Sequence, residues 1–296
     1  MTNEPLREKC IRWILAAVAC SSLLALAGIM LFLFLEGLPL FSTYSPDQFF
    51  FGILWYPTSE PPEYGILPLI LGSVTVMLVA VSIAVPLGVL TAAYLTEIAA
   101  SGVRRVVKPF LELLAALPSV VIGFFGMVVV APFLQETFDL ATGLNLFNAG
   151  LMLAFMSVPT ICSVAEDALF AVPRSLREAS LALGATRWET TSRVVLPAAL
   201  SGIGTAVMLG MSRTIGETMV VLMVAGGAAM IPGSLFDPVR PMPASIAAEM
   251  AEAPFRSQHY HSLFAIALVL FLFTLCFNLL ANFISERYKQ TGSSSL

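Results

Sequence analysis

One arginine and one glutamate stand inside a long apolar run in the second half of the chain. Arg213 lies 15 residues past Ala198, near the middle of that run, and Glu217 follows four residues later. An ionised side chain in mid-membrane costs at least about 2.5–3.5 kcal/mol, so it normally faces the bundle interior or a water-filled cavity. Four residues make one helical turn, so the two side chains are predicted to pair on one face. The arginine then either binds two oxygens of an oxyanion or merely neutralises the glutamate.

Small residues recur every fourth position in the same run. Gly202, Ala206 and Gly210 would let another helix approach closely, and Thr214 and Thr218 continue the stripe. This face is predicted to pack against a neighbouring helix, and the functional interpretation is that it also lines a path through the membrane. The candidate path or gate residues are Arg213, Glu217, Thr214 and Thr218.

A polar and charged segment, residues 174–197, separates two apolar runs. Residues 177–183 are compatible with a helix, and Gly184 can end that helix in the left-handed conformation. Thr186, with Glu189 three residues later, predicts a capping box at the start of a second helix. The segment is therefore predicted to fold as two short helices joined at Gly184.

Composition restricts the class of protein that carries these residues. Of 296 residues, 58% are hydrophobic and 11% are charged, and the mean hydropathy is +0.89. A soluble globular chain has about 25% charged residues, and a transmembrane helix needs about 20 apolar residues. We therefore predict an all-α integral membrane protein with six transmembrane helices. The predicted spans are residues 13–35, 66–95, 110–134, 148–171, 198–229 and 262–284.

Basic residues are concentrated in one set of loops, and this asymmetry predicts the orientation of the chain in the membrane. The opposite set of loops contains only Arg240 and Arg256. Both termini and the 174–197 segment are therefore predicted to be cytoplasmic. The basic residues of the cytoplasmic set are Arg7, Lys9, Arg12, Arg104, Arg105, Lys108, Arg174, Arg177, Arg187, Arg193, Arg287 and Lys289.

Several motifs for independent chemistry are missing from the sequence. It contains no G-x-x-x-x-G-K-[ST], so the chain is not predicted to bind ATP in the P-loop manner. It contains neither H-E-x-x-H nor G-x-S-x-G. His259 and His261 could suggest a metal site, but no third ligand is evident and interfacial packing is favoured. We predict a non-catalytic protein with no metal or cofactor of its own, energised by a partner.

The 174–197 segment resembles the EAA loop of ABC-importer permeases. It has a Glu-Ala pair, a glycine six residues after the glutamate, and a closing Leu-Pro, while Ser180 and Val194 stand where the family has alanine and isoleucine. In that family, which has the type I ABC-importer permease architecture, the loop is a cytoplasmic helix pair that docks in a groove of the ATPase subunit. The resemblance implies ATPase coupling by Arg177, Glu178, Ala179, Gly184, Leu196 and Pro197.

Further stretches resemble one branch of this family, the PstC-type permeases of phosphate importers. The R-x-x-G-E-T run that begins at Arg213 is fairly specific to that branch. The resemblance implies a permease subunit of an ATP-driven phosphate importer in which Arg213 contacts phosphate or gates its path. The other matching stretches are residues 64–74, 85–95, 112–126, 163–189 and 249–253.

The same resemblance implies partners and a location. The partners would be a second homologous permease, two ABC ATPase subunits that hold ATP and magnesium, and an extracytoplasmic phosphate-binding protein. Phosphate and membrane lipid would also bind, and nucleic acid would not. The complex would work by alternating access in the bacterial cytoplasmic (inner) membrane. Two alternatives stay open: a permease for another oxyanion, such as molybdate or sulfate, and a channel that needs no ATPase.

The predicted organisation has three parts. A cytoplasmic N-terminal segment covers residues 1–12. A six-helix transmembrane permease domain covers residues 13–284 and includes a cytoplasmic coupling loop at 172–197. A cytoplasmic tail covers residues 285–296.

Overall fold

The computed structural model describes residues 6–288, so residues 1–5 of the predicted N-terminal segment and residues 289–296 of the predicted tail lie outside it. The described chain is mostly helical, with one antiparallel pair of short strands, β1 (Trp55–Tyr56) and β2 (Glu63–Tyr64). The helices are α1 (Leu6–Gly37), α2 (Pro46–Phe51), α3 (Leu67–Ala93), α4 (Ser101–Ala116), α5 (Ser119–Phe125), α6 (Ala131–Phe138), α7 (Leu146–Phe170), α8 (Arg174–Ala182), α9 (Arg187–Thr190), α10 (Leu196–Ala198), α11 (Leu200–Ile215), α12 (Met219–Val224), α13 (Met242–Glu249) and α14 (Gln258–Tyr288). Wider π-helical turns continue α3, α5 and α9 at Tyr94–Ile98, Gly126–Val130 and Thr191–Val195.

Five helical segments of the described chain are long and apolar enough to cross a membrane. A sixth is obtained if the bent pair formed by Arg187–Ala198 and Leu200–Ile215 counts as one span. The structure therefore confirms the predicted all-α membrane architecture. The five segments are Ile11–Ser42, Leu67–Ile98, Ser119–Phe138, Leu146–Phe170 and Gln258–Leu280.

The predicted third span, residues 110–134, crosses a break between two helices. α4 ends at Ala116, Leu117 and Pro118 are extended, and the membrane-length segment starts at Ser119. Proline has no N–H and disfavours the helical conformation in the residue before it. The sequence does not show this break, because the apolar residues of α4 continue the run without a change in hydropathy.

The predicted fifth span, residues 198–229, is a broken helix and not a continuous one. α11 lies at 71° to the helix that precedes it. α11 ends at Ile215, and the short α12 begins only at Met219. Beyond α12 the chain turns at Gly226, which has a φ of +89° and forms a bridge with Val239. Hydropathy does not detect these breaks because the residues around them are mostly small or apolar.

The stripe of small residues on α11 is a packing face toward α7. A methyl group added to Gly202 would come within 2.4 Å of the Ala168 Cβ, and one added to Gly210 within 2.7 Å of the Ile161 side chain. Ala206 is fully buried between them. The stripe therefore packs against α7, and its role in lining a path stays a prediction.

Glu249 joins three other segments at the end of the bundle opposite to α8 and α9. Its carboxylate accepts a hydrogen bond from Trp55 Nε1 at 3.0 Å and another from Arg240. His259 Nε2 lies 2.8 Å from the same carboxylate, whereas His261 contacts the end of α1. The two histidines thus have different partners, each in a packing contact between segments.

Candidate functional site

The segment between α7 and α11 has the local structure that its sequence predicts. α8 ends at Ala182, and Gly184 follows with a φ of +86°. The Thr186 hydroxyl accepts from the Glu189 N–H at 3.2 Å, and the Glu189 carboxylate accepts from the Thr186 N–H at 2.9 Å. The predicted left-handed glycine and the predicted capping box are both confirmed.

The outward face of this segment carries large apolar side chains. Leu181, Leu183 and Trp188 are 46%, 90% and 60% exposed. Apolar side chains grouped at a surface mark contact with another protein or with the membrane. Of the residues assigned to coupling, Glu178, Ala179, Gly184 and Pro197 are exposed and Leu196 is half-buried.

Arg177 is different, because its side chain points into the bundle. Its Nη2 donates to Glu97 Oε1 at 2.8 Å, and its Nε donates to the same oxygen at 3.2 Å. The guanidinium also donates to the main-chain oxygens of Leu169 and Val172 at the end of α7. Arg177 and Glu97 are only 19% and 12% exposed in their side chains. Arg177 therefore ties α8 to the ends of α3 and α7 and does not contribute to the exposed face.

Two buried carboxylates have structural partners that the sequence did not indicate. Glu97 binds Arg177, and Glu166 binds Arg104 at 2.7 Å and Lys108 at 3.4 Å. Each of these acids stands in or beside an apolar run of the sequence. That position is the signal from which an ion-pair partner inside the bundle could have been predicted. Through Arg104 and Lys108, Glu166 holds α4 against α7.

Arg213 lies halfway along the bundle, on the exposed side of α11. The adjacent Thr214 is buried, and its Oγ1 lies 3.1 Å from the Ser157 Oγ. Ser157 is close to the midpoint of α7, so this contact fixes the depth of Arg213 at mid-span. The Arg213 side chain is exposed in the isolated chain.

The predicted ion pair between Arg213 and Glu217 is not formed in the described part of the chain. The physical reason is that α11 ends between them. The Glu217 N–H bonds to the Thr214 carbonyl at 3.3 Å, and the Glu217 carboxylate accepts from the Val220 N–H at 3.5 Å. Glu217 thus lies in the break just before α12, and the two charges do not share a helix.

The two threonines assigned to the path also differ from each other. Thr214 donates to the Gly210 carbonyl at 2.8 Å and contacts Ser157, so it faces α7 and not the exposed side where Arg213 lies. Thr214 therefore packs against α7 here, and its assignment to the path stays a prediction. Thr218 is half-buried within the break between α11 and α12.

The break after Arg213 lies beside the break in the third span. α12 packs against α5, and a methyl group added to Gly123 would come within 3.2 Å of the Val220 Cα. Pro118 precedes Gly123 by five residues and Thr218 precedes Val220 by two, so both breaks lie within about two helical turns of this contact. In membrane transporters, interrupted helices at mid-membrane commonly surround the substrate site.

Sequence comparison connects this arrangement to a known family. The family model described as "Binding-protein-dependent transport system inner membrane component" matches residues 84–290. The chain is 39% identical over 289 residues to the probable ABC transporter permease protein YqgH of Bacillus subtilis, covering 97% of this chain and 94% of that protein. It is 36% identical over 290 residues to the phosphate transport system permease protein PstC of Mesorhizobium japonicum, covering 92% and 88%. The identity to the PstC protein of Pasteurella multocida is 36% over 272 residues, covering 85% and 83%.

Solved structures share the fold at lower identity. One chain of a bacterial alginate ABC transporter, solved in complex with a periplasmic protein bound to an alginate pentasaccharide, matches with a TM-score of 0.66 and 17% identity, covering 98% of this chain and 100% of that one. A chain of the MetNI methionine ABC transporter in inward-facing conformations matches with a TM-score of 0.58 and 21% identity, covering 76% and 95%. The chain belongs to the family of binding-protein-dependent transport system inner membrane components, the non-catalytic multi-pass permeases of ABC importers.

Proposed function

We propose that this chain is the permease subunit of an ATP-driven phosphate importer and forms half of its path through the membrane. Relatives at 36% identity over most of the chain are named phosphate transport system permease proteins. The observation that carries the proposal is Arg213, an exposed guanidinium at mid-span beside two helix breaks. A guanidinium stays charged and can bind two phosphate oxygens at once.

The exposure of Arg213 also supports a second permease. An arginine that faced lipid at this depth would cost at least about 2.5–3.5 kcal/mol. A homologous second permease packed on this side would enclose the arginine in a shared, water-filled path. Two ABC ATPase subunits with ATP and magnesium would drive the cycle, and an extracytoplasmic phosphate-binding protein would deliver phosphate.

The decisive experiment is uptake of labelled phosphate by the complex reconstituted in proteoliposomes. Uptake should require ATP and the binding protein, and unlabelled phosphate should compete far better than sulfate or molybdate. Stronger competition by sulfate or molybdate would assign the same architecture to another oxyanion. Uptake without ATP would indicate a channel and contradict the proposal.

The proposed orientation, with both termini and α8–α9 in the cytoplasm, is testable by cysteine labelling. In a variant without the four native cysteines, single cysteines at Ser59 and Ser234 should react with an impermeant thiol reagent added outside intact cells. A cysteine at Leu183 should react only after the cells are opened. All three native residues are exposed, so a negative result reflects sidedness and not burial. Labelling at position 183 in intact cells would reverse the proposed topology.

The exposed face of α8 and α9 is the proposed docking surface for the ATPase, and Gly184 is its most sensitive backbone position. A Cβ at Gly184 would meet no atom within 4 Å, so Gly184→Val is penalised only by the φ of +86°. That penalty is roughly 1–2 kcal/mol for an ordinary residue and larger for a β-branched one. We expect normal insertion of this variant but weakened ATPase association and uptake.

Asparagine is the matched control at this position, because it tolerates the left-handed conformation. Gly184→Asn should retain most of the association that Gly184→Val loses. Co-purification of the ATPase with tagged permease measures the difference directly. Full association and uptake with valine at position 184 would show that this turn is not required for coupling.

A further inference from the structure

A basic cavity of about 530 Å³ opens between the end of α3 and the first half of α4. It lies at the same end of the bundle as α8 and α9, away from the mid-span site of Arg213. Its polar lining consists of Thr96, Ser101, Arg104, Arg105, Lys108 and Glu112. Three cations therefore share one concave surface with a single carboxylate.

Two of these cations are held in place by a buried carboxylate. The Glu166 carboxylate, which is almost fully buried, binds Arg104 at 2.7 Å and Lys108 at 3.4 Å. The Arg104 guanidinium also lies over the Phe170 ring, 4.2 Å from its centroid. Arg104 and Lys108 nevertheless keep 34% and 42% of their side chains exposed. Their positions are thus fixed while free N–H donors remain on the cavity side.

Arg105 is the cation with no carboxylate bound to it in the described chain. It is exposed, it lines the cavity, and no described carboxylate lies within ion-pair distance of it. Counting Glu166 and Glu112 against the three cations still leaves one positive charge. An anion with several oxygens is the ligand that such a surface can hold.

The cavity lies at the level of the membrane surface. α7 has 25 residues and is therefore roughly 37 Å long, longer than the hydrocarbon layer of about 30 Å. Glu166 lies four residues, or about 6 Å, before the end of α7 at Phe170. The three cations consequently lie near the hydrocarbon edge, where lipid phosphates and dissolved anions are both present.

We propose that this cavity binds a phosphate group, with Arg105 as the main ligand and Arg104 and Lys108 as prepositioned donors. The Ser101 hydroxyl can supply a further donor, whereas the Thr96 hydroxyl already donates to the Ala92 carbonyl. The source of the phosphate group is either an anionic phospholipid head group or free inorganic phosphate. The site is separate from Arg213 and does not depend on which anion the importer carries.

The test uses the full-length chain purified with the subunits that assemble with it, without ATP. In one arm, short-chain phosphatidylglycerol or phosphatidylcholine is added in detergent and bound lipid is counted by native mass spectrometry. In the other arm, binding of radiolabelled inorganic phosphate is measured by equilibrium dialysis. The variants are Arg105→Gln, Arg105→Lys and Arg256→Gln, the last being an exposed arginine between α13 and α14, outside the cavity and at the opposite end of the bundle.

We expect binding in at least one arm that Arg105→Gln weakens about tenfold or more, because an arginine–phosphate contact is a charge-assisted pair. Arg105→Lys should retain part of the binding, and Arg256→Gln should leave it unchanged. Arg105-dependent binding of phosphatidylglycerol over phosphatidylcholine assigns the site to lipid, and Arg105-dependent binding in the dialysis arm assigns it to free phosphate. The proposal is overturned if neither ligand binds, if Arg105→Gln has no effect, or if Arg256→Gln weakens binding equally.

Discussion

Replacing Arg213 by glutamine is expected to leave the importer assembled and to reduce phosphate uptake roughly 10- to 100-fold. The expected size follows from a hydrogen bond to a charged group, which contributes about 1.5–3 kcal/mol, at about 1.4 kcal/mol for each tenfold change. Assembly should persist because the Arg213 side chain is exposed and has no ion-pair partner in the described chain. The measurement is the initial rate of labelled phosphate uptake into proteoliposomes, divided by the amount of assembled complex.

The matched controls separate a functional arginine from a structural ion pair. A structural pair would tolerate Arg213→Gln together with Glu217→Gln better than the loss of either charge alone. Since α11 ends between the two residues, we expect the double variant to be as inactive as Arg213→Gln. Leu209→Ala, one turn earlier and also exposed, should transport normally. Near-normal uptake by the assembled double variant would remove Arg213 from the path.

The features that the sequence predicted correctly are those determined within a few residues. Gly184 ends α8 because only a residue tolerant of positive φ fits there, and Thr186 and Glu189 cap α9 through bonds across three residues. The interactions that decide these structures are local, so a single sequence contains them. The membrane class follows equally directly from apolar runs longer than about 20 residues.

The helix breaks were only partly predictable. A proline, Pro118, stands at the first break and disfavours a helix there, but the apolar residues on both sides conceal the separation of α4 from the membrane-length segment that starts at Ser119. No proline marks the break between Ile215 and Met219. α11 ends there, and the following helix α12 packs against α5. Hydropathy carries no information on that contact.

Pairings across long stretches of sequence were not predictable at all. Glu97 and Arg177 are 80 residues apart, and Arg104 and Glu166 are 62 apart. Their encounter depends on which helices are neighbours, and that is decided by packing around α7. As a result, the motif assigned Arg177 to ATPase coupling, which stays a prediction, whereas its inward direction and its partner Glu97 emerged only from the fold.

The Arg177–Glu97 pair leads to the second large expected effect. We expect Glu97→Ala to preserve ATP hydrolysis by the assembled complex while lowering the phosphate imported per ATP about tenfold. Removing one partner leaves the other charge unsatisfied, at a cost of about 1–3 kcal/mol for side chains that are mostly buried. α8 would then lose its rigid link to the end of α3, so that movement of the docked ATPase would no longer reach the membrane span.

The comparison that decides this point is the ratio of transport to hydrolysis, measured in the same proteoliposomes. Glu97→Asp keeps the charge on a shorter side chain and should recover part of the ratio. Asp167→Ala, which removes an exposed carboxylate near the same end of the bundle, on α7 and outside the docking surface, should leave the ratio unchanged. A purely structural role for the pair predicts that transport and hydrolysis fall together, in proportion to the amount of assembled complex. That outcome would contradict transmission through Arg177 and Glu97, because a defect in folding lowers both activities equally, whereas a broken link lowers only transport.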